Sequence, residues 1–208
     1  MINTTFERSR VISFIDAVFS IAMTLLVLEV AIPTYDAVAE KGTWGVLYGL
    51  IPNFIGLLVS FLVTAVYWIA HLRAMSYVTY FDNKLLWLNI GLLLFVVLMP
   101  FSTSFYVNGF ELIGPFVFYS FNLASIGLFN FLIIRKVVKM NASTGNLSPV
   151  MGSWESWRAF NSFFVWLIAG VLGFFFPWVA RFIFISIFIF QAIINGYFKK
   201  KMHQTESS

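Results

Sequence analysis

Apolar residues along this chain gather into long blocks, and neither strict alternation nor a repeating amphipathic stripe carries through them. The blocks fall at 11–32, 44–70, 85–106, 112–134, 159–176 and 179–198. Crossing a hydrocarbon core of roughly 30 Å takes about 20 apolar residues in an α-helix, so each block is long enough to span a bilayer. The separators have a different character. Pro33 opens a polar loop, Pro52 stands near the start of the long second block, and residues 135–158 form a polar stretch with a turn-rich segment at 141–149. Pro177 joins the last two blocks, and residues 199–208 form a polar tail that begins with Lys199, Lys200 and Lys201. The pattern predicts an all-α membrane protein: one domain over residues 1–208, made of six transmembrane helices.

Charge turns that pattern into a topology. Arg8, Arg10, Arg73, Lys84, Arg135, Lys136, Lys139, Arg158 and the three terminal lysines fall in alternate connections, leaving only Lys41 and Arg181 on the other side. Eleven of the 13 basic residues therefore share one side. Since Lys and Arg are retained on the cytoplasmic side, both termini are expected there, with an even number of spans. Composition agrees: 60% of residues are hydrophobic and 11% charged, against roughly 25% charged in soluble domains. The first block is too long and its start too polar to read as a secretory signal peptide, and no A-x-A-like cleavage site follows it. There is no cysteine and there are two histidines, His71 and His203, so neither a thiolate nor a histidine metal site is expected. No phosphate loop, zinc-protease helix or nucleophile elbow occurs, which excludes the common enzyme classes, and nothing points to nucleic acid. Neither a 3+3 internal repeat nor a pair of broken spans marks a secondary transporter.

Ionisable and amide groups inside the blocks are the candidates for function, because each is costly to place in hydrocarbon. Asp16 lies five residues into the first block, either as a structural carboxylate bonded to a neighbouring helix or as a functional one. Its expected partners are His71, Trp68 or Asn89, with Arg10 nearby. Glu29, at the other end of that helix, is either a residue snorkelling to the interface or part of an acidic vestibule that concentrates cations. Asn89, Asn122 and Asn130 read as interhelical glue. On a helical wheel, Ile21, Leu25 and Leu28 fall on one stripe with Thr24 beside them, while Asp16 points about 140° away from Ile21. Such a stripe either packs or, around a symmetry axis, forms stacked rings.

The same residues carry a resemblance. Arg10-Val11-Ile12-Ser13-Phe14-Ile15-Asp16 is similar to an R-x-x-x-F-S-D signature, and Ala17 to Val30 follows as a run of the form G-V-F-A-I-A-x-T-L-L-V-L-[DE]-[IV]. Ser60-Phe61 through Trp68 to His71, and Leu85 to Asn89 through Pro100 to Thr103, resemble two further blocks. Together they resemble the transmembrane protein 175 family, the potassium channels of lysosomes and their prokaryotic relatives. The likeness covers roughly the first half of the chain. Two positions depart from the pattern: Ile15 stands for the motif serine, and Leu72 for a second histidine.

The resemblance implies a potassium-conducting or potassium-preferring cation channel with no cofactor beyond the permeant ion. One six-helix repeat per chain implies a homotetramer in the plasma membrane of a prokaryote. The first helix would line a central pore, with a hydrophobic gate of Ile21, Leu25 and Leu28. Thr24 would offer ion-contacting hydroxyls, Glu29 would stand at the pore mouth, and Arg10, Phe14, Asp16, Trp68, His71 and Asn89 would form an interhelical network. Neither a T-V-G-Y-G filter nor a voltage-sensing arginine series is present. The competing expectation is a proton-coupled secondary transporter using Asp16 and His71 as a protonatable pair.

Overall fold

The computed structural model describes residues 6–141 and 147–206, with side chains described as far as Lys200 in the last helix. Residues 142–146 of the turn-rich segment, the side chain of His203 and the end of the 199–208 tail lie outside the described residues.

Helices make up most of the described chain. Helix α1, Arg8–Leu25, tightens into a 3-10 turn at Leu26–Glu29. Helices α2 (Tyr35–Gly49) and α3 (Ile51–Ser76) follow, joined at Leu50. Next come α4 (Asn83–Val97), α5 (Met99–Asn108), α6 (Ile113–Asn141) and α7 (Pro149–Gly173). The short α8 (Pro177–Phe182) and α9 (Ile185–Glu206) end the described chain.

Several of these boundaries have a visible cause. Thr34, Asp82 and Ser148 occupy N-cap positions, and each side chain accepts from an amide three residues on, as helix starts require. Pro149 sits at the first helical position behind Ser148, where its missing N–H costs nothing. Pro52 and Pro100 cannot donate to the preceding turn, and at each the long helix divides: α2 from α3, and α4 from α5.

The segments differ from the sequence reading in three places. Residues 35–43, expected in a polar loop, are helical, with a kink at Gly42 whose φ of 70° only glycine adopts readily. Helix α7 begins at Pro149, ten residues before the expected span at 159, because Ser148 caps it there. The last expected span is interrupted between α8 and α9.

Four helical stretches among the described residues are long and apolar enough to cross a membrane: Arg8–Glu29, Tyr35–Ser76, Asn83–Asn108 and Ile113–Asn141. The second would measure roughly 60 Å at 1.5 Å per residue, twice the hydrocarbon core. It therefore extends well beyond a single crossing, and none of α2 is buried in the chain.

Helix α6 is the centre of the bundle. It packs most extensively against α7 and also meets α3, α4 and α5. Gly127 permits the α6–α7 approach: a Cβ there would lie 2.8 Å from the Phe163 Cα. Polar ties run across the same core. Ser60 and Tyr119 share a hydrogen bond of 3.0 Å, and Asn122 donates to Ser102 at 3.1 Å. Asn130 is buried as well, and its Oδ1 lacks a partner. Helix α1 lies against α3, α4 and α5.

Candidate functional site

Helix α1 turns one face to the bundle and the other away from it. Ile15, Phe19, Ala22 and Leu26 are buried at spacings of four, three and four, the period of one helical stripe. A second face is apolar too, yet open: Ile21 is 57% exposed, Leu25 40% and Leu28 72%. Thr24 lies among them, and its hydroxyl donates to the Ile21 carbonyl at 2.8 Å. Ser20 does the same to Asp16 O at 2.8 Å. With their protons committed to backbone, these hydroxyl oxygens keep their lone pairs for an outside donor or cation. In the 3-10 turn residues three apart eclipse, which brings Leu28 into line with Leu25 instead of about 60° off it.

Asp16 sits half-buried on the flank of α1, between these two faces. Its Oδ1 accepts from the Trp68 indole N–H at 2.9 Å. His71 and Asn89, the other two expected partners, pair with each other instead: Nε2 and Oδ1 are 2.7 Å apart. The Asn89 amide donates its Nδ2 to Leu85 O at 2.8 Å, so its oxygen must be what faces His71. The His71 Nε2 is therefore the donor, and the proton position follows from the network. Its Nδ1 has no partner, and the ring lies 6.0 Å from that of Phe19. Thus the Asp16–Trp68 bond ties α1 to α3, and the His71–Asn89 bond ties α3 to α4.

Other residues named from the sequence take different places. Arg10 and Phe14 are exposed, and it is Arg8 whose guanidinium donates to Met75 O at 3.2 Å. Ile15, which stands where the family motif has serine, is 1% exposed within the apolar core, where a methyl-bearing side chain packs and a hydroxyl would need a partner. Glu29 closes the 3-10 turn and lines a small crevice with Asn53 and Ser104. Asn53 donates to Asn108 at 3.4 Å, and Asn108 to Ser104 at 3.1 Å. That polar outer cluster was not anticipated, since its members are spread over three helices. Nor were the ion pairs Arg73–Glu155 at 3.4 Å and Lys136–Asp82 at 2.5 Å. Partial burial alone would raise the Asp82 carboxyl, but the Lys136 bond, the Leu85 amide and the nearby lysines hold it below its ordinary value. Among the described residues no three His, Cys, Asp or Glu side chains gather as metal ligands.

Fold and site together define a helical membrane protein whose first helix carries an uncovered aliphatic and hydroxyl face. The family model described as "Endosomal/lysosomal potassium channel TMEM175" matches residues 10–100. A protein of Streptomyces collinus named a potassium channel is 38% identical over 98 residues, 47% of each chain. Another of that name from a Chryseobacterium is 23% identical over 83% of this chain and 86% of its own. A crystal structure of a TMEM175 homologue from Chamaesiphon minutus, described as lysosomal and potassium-selective, superposes with a TM-score of 0.75 at 23% identity, covering 92% of this chain and 97% of that one. A single-site variant of the potassium channel MtTMEM175 superposes with a TM-score of 0.67 at 18% identity, over 92% and 93% of the two chains. The match to the TMEM175 family model thus covers residues 10–100, and the chain has the fold of these solved TMEM175 structures. The matched segment spans about half the length of the Streptomyces relative.

Proposed function

We propose that this chain is one subunit of a homotetrameric potassium-conducting channel in a prokaryotic plasma membrane. Each subunit would cross the bilayer six times with both termini in the cytoplasm, and four copies of α1 would surround the pore. The observation that carries this reading is the uncovered stripe of Ile21, Leu25 and Leu28, about 120° around α1 from its buried face. A lipid-facing helix needs no hydroxyls there, whereas a pore does. The names of the relatives point the same way, as does the division of the basic residues between the two sides.

Around a four-fold axis the stripe becomes three apolar rings at successive turns, about 5–6 Å apart. Such a ring offers a hydrated cation nothing in place of water and blocks conduction by dewetting when narrow. Thr24 supplies hydroxyl oxygens between the rings, and Glu29 gathers cations at the mouth. Asp16 works from behind: bonded to Trp68, it fixes the rotation of α1 and so keeps the stripe on the axis.

A planar-bilayer recording of purified protein under a potassium/sodium gradient tests the proposal. Passive unitary currents reversing towards the potassium potential are expected. Concentrative uptake into proteoliposomes driven by a pH gradient, without passive current, would overturn it in favour of a carrier using Asp16 and His71. For topology, a reporter fused after Ser208 should be active only inside the cell.

A further inference from the structure

Arg181, on α8, is one of only two basic residues outside the cytoplasmic set, and it is 9% exposed. Its guanidinium carbon lies 4.3 Å from the Phe110 ring centre and 4.8 Å from that of Trp178, and Nη2 donates to the Phe110 carbonyl. The Nε has no partner at all. Neither ion pair among the described residues includes this arginine, and Glu111, beside Phe110 in sequence, is exposed and makes no pair with it. A buried cation with rings, one carbonyl and the neutral Tyr106 hydroxyl beside it but no counter-charge is expensive. An anion in contact with it would remove most of that cost.

The surroundings indicate which anion. Arg181 lines a cavity of about 610 Å³ between α3, α5, α6, α7 and α8, closed by Phe184, within the ~300–1,000 Å³ range of small-molecule sites. Ile55, Val59, Val63, Val107 and Trp166 make its walls. Its polar lining is neutral and largely spoken for: Ser60 and Tyr119 bond each other, and Thr103 donates to Met99 O. The site thus offers one positive charge against a long apolar volume. A free phosphate would leave that volume empty, and a detached hydrocarbon would leave the charge unmet. A phospholipid satisfies both.

We propose that the cavity holds a glycerophospholipid of the non-cytoplasmic leaflet, with its phosphate diester on Arg181 and an acyl chain along α3. The proposal rests on the chain spanning a membrane and is independent of where the pore runs. Purified protein, stripped of loosely held lipid and titrated with phosphatidylglycerol or phosphatidylcholine, is read by native mass spectrometry. One phospholipid retained per chain is expected. Arg181→Gln and Val59→Trp should each weaken retention roughly tenfold or more, the first by removing the charge and the second by filling the cavity. Val59→Trp leaves every Arg181 contact intact, so it carries the test if Arg181→Gln does not fold. Unchanged retention in a folded variant would overturn the proposal. So would displacement of the lipid by inorganic phosphate alone. A Val59→Cys variant that cross-links between chains without retained lipid would show the cavity covered by a second copy, and would overturn it equally.

Discussion

Helices α1 and α6 are both long and apolar, but the more hydrophobic of the two is the less buried. Helix α1 buries a single stripe of Ile15, Phe19 and Ala22. Helix α6 is enclosed along most of its length, and its buried residues include Ser120, Asn122, Ala124, Gly127 and Asn130. In water the more apolar helix would be the interior one. In a bilayer the lipid tails accept leucine as readily as a protein core does, so what marks a packed helix is small and hydrogen-bonding residues. Helix α1 concentrates its hydroxyls on the face that this chain leaves uncovered, which is the feature the proposed pore uses.

The comparison breaks most visibly at Gly127. Gly127→Leu would drive a side chain into the Phe163 backbone, which cannot yield as a flexible side chain does. A loss of about 3 kcal/mol or more is expected, seen as a lower melting temperature or as aggregation on size exclusion. Asn89→Leu should cost about 1–3 kcal/mol by stranding the buried His71 N–H. Trp68→Phe should cost less, because the half-buried Asp16 carboxylate keeps access to other donors; its readout is assembly more than melting. Leu25→Ser should change melting by no more than about 0.5 kcal/mol while, under the proposed pore arrangement, raising the resting current in bilayers by wetting the Leu25 ring. If Leu25→Ser destabilised the protein as much as Gly127→Leu, α1 would be as buried as α6 and the contrast would fail. The smallest effect concerns Asp82. A carboxyl held below its ordinary value contributes stability that is complete above about pH 4 and is lost as pH falls through the lowered value. Lys136→Met should therefore shrink the drop in melting temperature between about pH 6 and pH 3.

Much of the helical layout is legible because solvent dictates it: blocks such as 11–32 and 112–134 have no other soluble or membrane solution than a helix. Helix starts were legible where a capping side chain precedes a run, as at Asp82. The early start of α7 was equally encoded by Ser148-Pro149, but the polar residues around Glu155 masked it. The Gly42 kink carries no periodic signal. In the site, the stripe on α1 followed from the wheel alone, because angular position is a local property. Partner choice is not local. Asp16 could have met Trp68, His71 or Asn89, and only the relative heights of α1, α3 and α4 decide that Trp68 takes it while the other two pair. Arg181 shows the same limit: its sequence position suggests an expected side of the membrane, and burial in an aromatic cage requires the fold.

The amino end of α1 has a mechanical consequence. The Phe6 amide donates to Phe81 O at 3.0 Å, and Arg8 reaches Met75 O, so the chain is pinned at this end to the corner between α3 and α4. The far end is held by apolar packing: the 3-10 turn lies against α3 and α5, with Leu26 buried. Helix α1 is then a lever of 18 residues, about 27 Å long, and a swing of about 10° at the pinned corner carries its tip roughly 5 Å. A swing of that size at Leu25 and Leu28 would have to draw Leu26, 1% exposed, out of its seat against α3 and α5 while Phe6 and Arg8 hardly move.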